Sequence, residues 1–124
     1  MVLGAAILAV GCGAETTSLQ GADTASGKQL FVQKCGSCHT LADAATLAQI
    51  GPDLDDAFRR AREDGFADST IFRITLDQID LAVAPMPPDL VDGQDAVDVA
   101  AYVASVAGKP PPETTTGQTT TGSP

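Results

Sequence analysis

Apolar and polar positions divide this chain into three zones. Residues 1–11, MVLGAAILAVG, are apolar without interruption. Residues 24–108 repeat apolar positions every three to four residues, the period of amphipathic helices, and show no convincing strand-like alternation. Residues 110–124, PPPETTTGQTTTGSP, hold no large apolar side chain. In the middle zone, Thr24 or Ser26 is placed to cap a first helix, which runs through Leu30 and Phe31 into KCGSCHT at 34–40. Gly51-Pro52 punctuates the loop that follows. Residues 55–64 predict a short helix around Phe58. Asp68 or Ser69 opens another, with Ile71, Ile74 and Gln78 on one line and Phe72, Leu76 and Ile79 on the next. Ala84-Pro85-Met86-Pro87-Pro88 is excluded from a helix interior, because proline lacks an amide proton and fixes φ, so it is a stiff loop. Asp92 and Asp95 have the spacing of a capping box for a last helix. Its stripe of Val99, Tyr102, Val103 and Val106 ends at Gly108 and Pro110. The pattern predicts an all-α domain of three to five short helices around long loops.

The ends read differently. An apolar run of about ten residues is too short to span a membrane but suits an export signal, although no Lys or Arg precedes it. The run ends in Ala9-Val10-Gly11-Cys12-Gly13, which resembles the lipobox of a bacterial lipoprotein signal. Cys12 is also the odd one of three cysteines once the pair at 35 and 38 is set aside. Cys12 is therefore expected to carry a lipid anchor, the alternative being an ordinary cleaved signal. The expected organisation is a signal at 1–11, a flexible tether at 12–23, one domain at 24–108 and a disordered Pro/Thr-rich tail at 109–124.

A domain as small as 24–108 buries little apolar surface and gains from an embedded group. Aromatics make up 4% of the chain and Trp is absent, which favours an apolar cofactor as core filler. The net charge of −9 argues against nucleic acid and for cationic partners. The acids between Asp77 and Asp98, and the basic trio Arg59, Arg60 and Arg62, read as solvated faces. An Arg or Lys beside an anionic group of the cofactor is the alternative for the trio.

Cys35, Cys38 and His39 form a C-x-x-C-H and include the chain's one histidine. Zinc needs about four ligands, and no second ligand pair exists. A thiol redox pair needs a βαβ setting that the helical pattern does not offer. The remaining reading is attachment of a c-type haem, with one thioether from each cysteine and His39 delivered to the iron. The free ring nitrogen then needs a backbone acceptor, for which the Gly51-Pro52 loop is the candidate. Apart from Met1, Met86 is the chain's single methionine, and its thioether suits the other axial position.

From Ser26 to Gly108 the chain resembles a monohaem class I cytochrome c. Gly27 and Phe31 precede the haem motif at that family's offsets. Gly51-Pro52-Asp53-Leu54 matches its G-P-x-L, Met86-Pro87 matches the M-P of its sixth-ligand loop, and Val99 and Tyr102 match last-helix positions that pack on Gly27 and Phe31. The resemblance implies one covalent haem c, a Pro52 carbonyl that receives the His39 proton, and the cytochrome c fold. It departs at Ala84-Pro85, where Gly or small residues are usual. With His39 and Met86 both on iron, no open site remains for a small-molecule substrate. The expectation is then an electron carrier rather than an enzyme, shuttling between respiratory or photosynthetic complexes on the outer face of the cytoplasmic membrane, the periplasmic side. The alternatives are an accessory haem subunit docked to an oxidase or dehydrogenase, and a haem sensor or enzyme.

Overall fold

The structure, a computed structural model, describes residues 18–110. The expected signal, Cys12, the start of the tether and nearly all of the Pro/Thr-rich tail lie outside the described residues. Helix α1 spans Thr24–Leu30, α2 Leu54–Glu63, α3 Asp68–Asp80 and α4 Gly93–Val106. Short turns of other pitch occur at Leu19–Gly21, Phe31–Cys35 and Ala42–Ala44, and the described residues contain no strand, only one isolated bridge between Leu41 and Thr46. The all-α expectation holds.

Helix starts are set by carboxylates in two cases. Asp23 accepts from the Ala25 and Ser26 amides at 2.9 and 3.0 Å, so it, and not Thr24 or Ser26, caps α1. The expected caps lie one and three residues too far on, inside the first turn. Asp53 does the same for α2 through the Asp55 and Asp56 amides at 2.9 and 3.1 Å. Asp55 and Asp56 in the first turn of α2, with Arg60 and Arg62 in its last, complement the helix dipole. Helices α3 and α4 depart from expectation. Ala67 precedes α3 without a capping side chain, and Asp92 precedes α4 without the expected capping-box bond. The Asp68 carboxylate is engaged instead by Arg62 at 2.6 Å and Lys109 at 2.9 Å. Burial works against this carboxylate, but those hydrogen bonds and charges outweigh it and hold the Asp68 carboxyl below its usual range.

Helix α4 is the axis of the domain, with α1 and α3 packed on it. Its buried stripe includes Val99, Tyr102 and Val103, as the periodicity predicted, and Phe31 meets Tyr102 edge-on with ring centroids 5.9 Å apart. Gly27 is what lets α1 and α4 come together. A Cβ there would run into the Asp98 carbonyl and lie 2.9 Å from the Tyr102 Cβ. Asp98 itself, expected on a solvated face, is 5% exposed and accepts from the Asp23 amide at 3.0 Å and Gln94 Nε2 at 2.8 Å. It ties the start of α1 to α4. Leu19 and Ala22 also pack against the core, so the segment expected as tether lies against the domain from Leu19 onward.

The far end of α4 is seated on α2. Gly108, at φ +68°, takes the left-handed conformation that ends the helix and donates to Asp55 at 3.0 Å. Arg62 donates through Nε to the Ala107 carbonyl at 3.1 Å and through Nη2 to the Ala104 carbonyl. Its side chain is 12% exposed, which corrects the reading of the whole Arg trio as a solvated face. Only Arg59 and Arg60 are exposed, each in a local ion pair worth little. No described helix is long and apolar enough to cross a membrane.

Candidate functional site

A cavity of about 660 Å³ lies between the 34–54 segment, α3, the 81–90 loop and α4. For a domain this small that is a large hollow, within the size range of cofactor pockets. Its wall is mostly apolar. Ile50, Leu81 and Val83 line it yet stand 68%, 71% and 76% exposed, an arrangement that an apolar group filling the hollow would cover.

The 31–39 segment forms one edge. Phe31–Cys35 is a π-helical turn, closed by the Gly36 amide on the Phe31 carbonyl at 2.8 Å. The periodicity predicted an ordinary helical turn here. The wider ring carries one more residue per turn, a distortion that recurs at functional sites. The Cys38 and His39 amides then both bond the Cys35 carbonyl, at 3.0 and 2.9 Å, so the motif stays coiled and its two thiols border one cavity. Burial, and secondarily Cys38, pushes the Cys35 thiol up to about 11. A neutral sulfur, thiol or thioether, belongs in that setting and a thiolate does not.

His39 is held from several directions. Its Nδ1 lies 2.8 Å from the Pro52 carbonyl, which can only accept, so Nδ1 is the donor and Nε2 is the nitrogen left for a metal. The ring lies over Gly51, where a Cβ would come within 2.6 Å of Cε1 and 2.8 Å of Nδ1. The Gly51 amide donates to the Cys38 carbonyl at 2.7 Å, closing the loop over the motif. Behind the ring, the buried Thr46 hydroxyl donates to the His39 carbonyl at 2.9 Å and accepts from the Leu41 amide at 3.0 Å. Thr40 ties the same loop twice through Ala48, at 2.8 and 3.0 Å. The sequence singled out the Gly51-Pro52 acceptor but gave no sign of Thr46, whose two partners appear only once the loop is closed.

Met86 lies on the 81–90 side of the same cavity, half-buried, with its amide donating to the Val83 carbonyl at 3.0 Å. The structure thus gathers Cys35, Cys38, His39, Pro52 and Met86 around one apolar hollow. Two sulfurs on one edge would attach a haem covalently, an imidazole and a thioether would be the donors to its iron, and the residues present fit that group. Among the described residues no three His, Cys, Asp or Glu side chains converge as metal ligands.

Comparison with known proteins points the same way. A family model described as Cytochrome c matches residues 24–107. Among solved structures, the c-type cytochrome SorU from Sinorhizobium meliloti is similar at 28% identity with a TM-score of 0.53, covering 69% of this chain and 92% of that one. No curated protein matches.

Proposed function

The chain belongs to the cytochrome c family, and from that premise we propose a one-electron carrier with His39 and Met86 as the two axial ligands of its haem. One C-x-x-C-H accounts for one haem c, held through Cys35 and Cys38. The observation that carries the proposal is the 2.8 Å bond from His39 Nδ1 to the Pro52 carbonyl, with Met86 in the wall of the same cavity.

When bound, haem supplies a ferrous–ferric couple. The chain's residues do the rest. Pro52 fixes the His39 tautomer and raises the basicity of Nε2. The Met86 thioether favours the reduced state and raises the potential. The apolar wall would keep water from a bound haem, and with His39 and Met86 both holding its iron no place would remain for oxygen or a substrate. The protein is then a carrier and not itself an enzyme. Its partners are redox proteins that tolerate or complement a chain of net charge −9.

The test is an absorption spectrum on protein made with cytochrome c maturation machinery. Sharp low-spin c-type bands when reduced, with the weak far-red Met-to-iron band when oxidised, are the expected result. A high-spin spectrum would remove Met86 from the iron and make this a sensor or enzyme.

The place of action follows from the other end of the chain. We propose export and a lipid anchor at Cys12, supported by the lipobox-like Ala9-Val10-Gly11-Cys12 and by the odd cysteine count. The carrier would then work on the outer face of the cytoplasmic membrane, on a tether that reaches the domain near Leu19. Cys12→Ala is expected to move the protein from the membrane to the soluble fraction. An unchanged distribution would rule the anchor out.

A further inference from the structure

Beyond the two thiols and the imidazole, the cavity wall offers little polarity. Lys34 and Gln78 reach it from exposed positions, where water screens them. Thr75 differs. It stands in the middle of α3, is only 9% exposed and lines the same cavity. Its hydroxyl donates to the Ile71 carbonyl, one turn back, at 2.9 Å. A hydroxyl has one proton and two lone pairs. With the proton committed to Ile71, the hydroxyl has only lone pairs left to offer an occupant of the cavity.

Fold stability does not call for a hydroxyl here. Back-bonding of this kind gives a helix no net support and often bends it. Valine has nearly the same shape and desolvates at less cost. The neighbours Ile71, Phe72 and Leu76 on α3 are all apolar and buried.

We propose that Thr75 sets the reduction potential of the bound haem, holding it below the value that the His39–Met86 pair would otherwise give. The inference rests on the reading of this cavity as the haem site. The ferric centre carries one more positive charge than the ferrous one. An oxygen in the cavity wall whose proton is turned away to Ile71 would stabilise the ferric state of a haem held there, and the apolar wall would keep that interaction from being screened. The opposite geometry predicts the opposite sign. If the hydroxyl turned to donate into the cavity, for example to the Met86 sulfur, it would favour the ferrous state, and its loss would lower the potential.

The experiment is a potentiometric titration of the holoprotein, followed by absorbance, in wild type and Thr75→Val. The expected result is an unchanged low-spin spectrum, with its Met-to-iron band, and a ferrous-to-ferric ratio at fixed ambient potential raised at least about threefold. That ratio corresponds to about 28 mV, at about 59 mV per tenfold for one electron. Thr75→Ser keeps the hydroxyl and is expected to keep the wild-type ratio. Should the valine variant fail to accumulate, Thr75→Ala loses the same oxygen and carries the same expectation. An intact spectrum with an unchanged or lowered potential would overturn the role of Thr75. A wild-type protein without haem or without the Met-to-iron band would overturn the underlying site as well, and the spectrum separates that failure from the first.

Discussion

Met86→Ala is expected to leave the haem attached while the potential falls by a sizeable part of the ~0.8 V range over which axial ligands set haem potentials. Attachment survives because it depends on Cys35 and Cys38, which sit on a different segment with its own hydrogen bonds. The domain survives as well. Truncating a half-buried side chain costs on the order of 1–2 kcal/mol of apolar burial, less than a small domain holds. The axial bond would have no substitute in its own loop. Met86 stands between Ala84-Pro85 and Pro87-Pro88, and none of these side chains has a donor atom. The chain has no second histidine, and its other methionine is Met1. The iron would lose its soft thioether and expose one face, so the far-red band should vanish and carbon monoxide should bind the reduced protein rapidly. A six-coordinate low-spin spectrum that retains the far-red band in Met86→Ala would show that another group is the ligand.

Much of this site was legible because its chemistry is written locally. Cys35, Cys38 and His39 are adjacent in sequence, and Met86 stands out by elimination. The helices were legible from period alone, to within about one residue at the start of α2, which begins at Leu54 rather than Asp55. What escaped were polar residues whose partners are distant. Asp98 looks like one more surface acid until α1 brings the Asp23 amide to it across 75 positions. Arg62 shares its segment with two solvated arginines, and only the end of α4, 42 and 45 positions away, distinguishes it. Thr46 and Thr75 carry no periodic signal, since a hydroxyl is tolerated on either side of a helix or loop. Local pattern finds the elements and the residues that gather at the cavity. The contacts that hold these elements together, such as those of Asp98 and Arg62, are long-range pairs that one sequence does not spell out.

Gly27→Ala is expected to be the most damaging small substitution in the domain. Alanine gains about 1 kcal/mol over glycine in a helix interior, so propensity alone would favour it. The contact geometry reverses the sign. The new Cβ would overlap the Asp98 carbonyl and lie 2.9 Å from the Tyr102 Cβ, and the first obstacle is backbone. A side chain could rotate away, but α4 can only be displaced as a unit. Overpacking costs about 1–3 kcal/mol where side chains absorb it, and more where they cannot. A net loss of about 2 kcal/mol or more is expected, which for a domain of this size lowers Tm by about 8–16 °C. The harm would not stay at the crossing. Helix α1 continues without a break into the π turn that carries Cys35, and Phe31 in that turn packs on Tyr102. Separating α1 from α4 therefore shifts the haem-attachment edge of the cavity, and the yield of mature protein should fall with the Tm. Gly21→Ala is the matched control. Nothing lies within 4 Å of a Cβ at Gly21, and a near-neutral Tm is expected there. Equal Tm values for the two variants would show that the close approach of α1 to α4 does not limit stability.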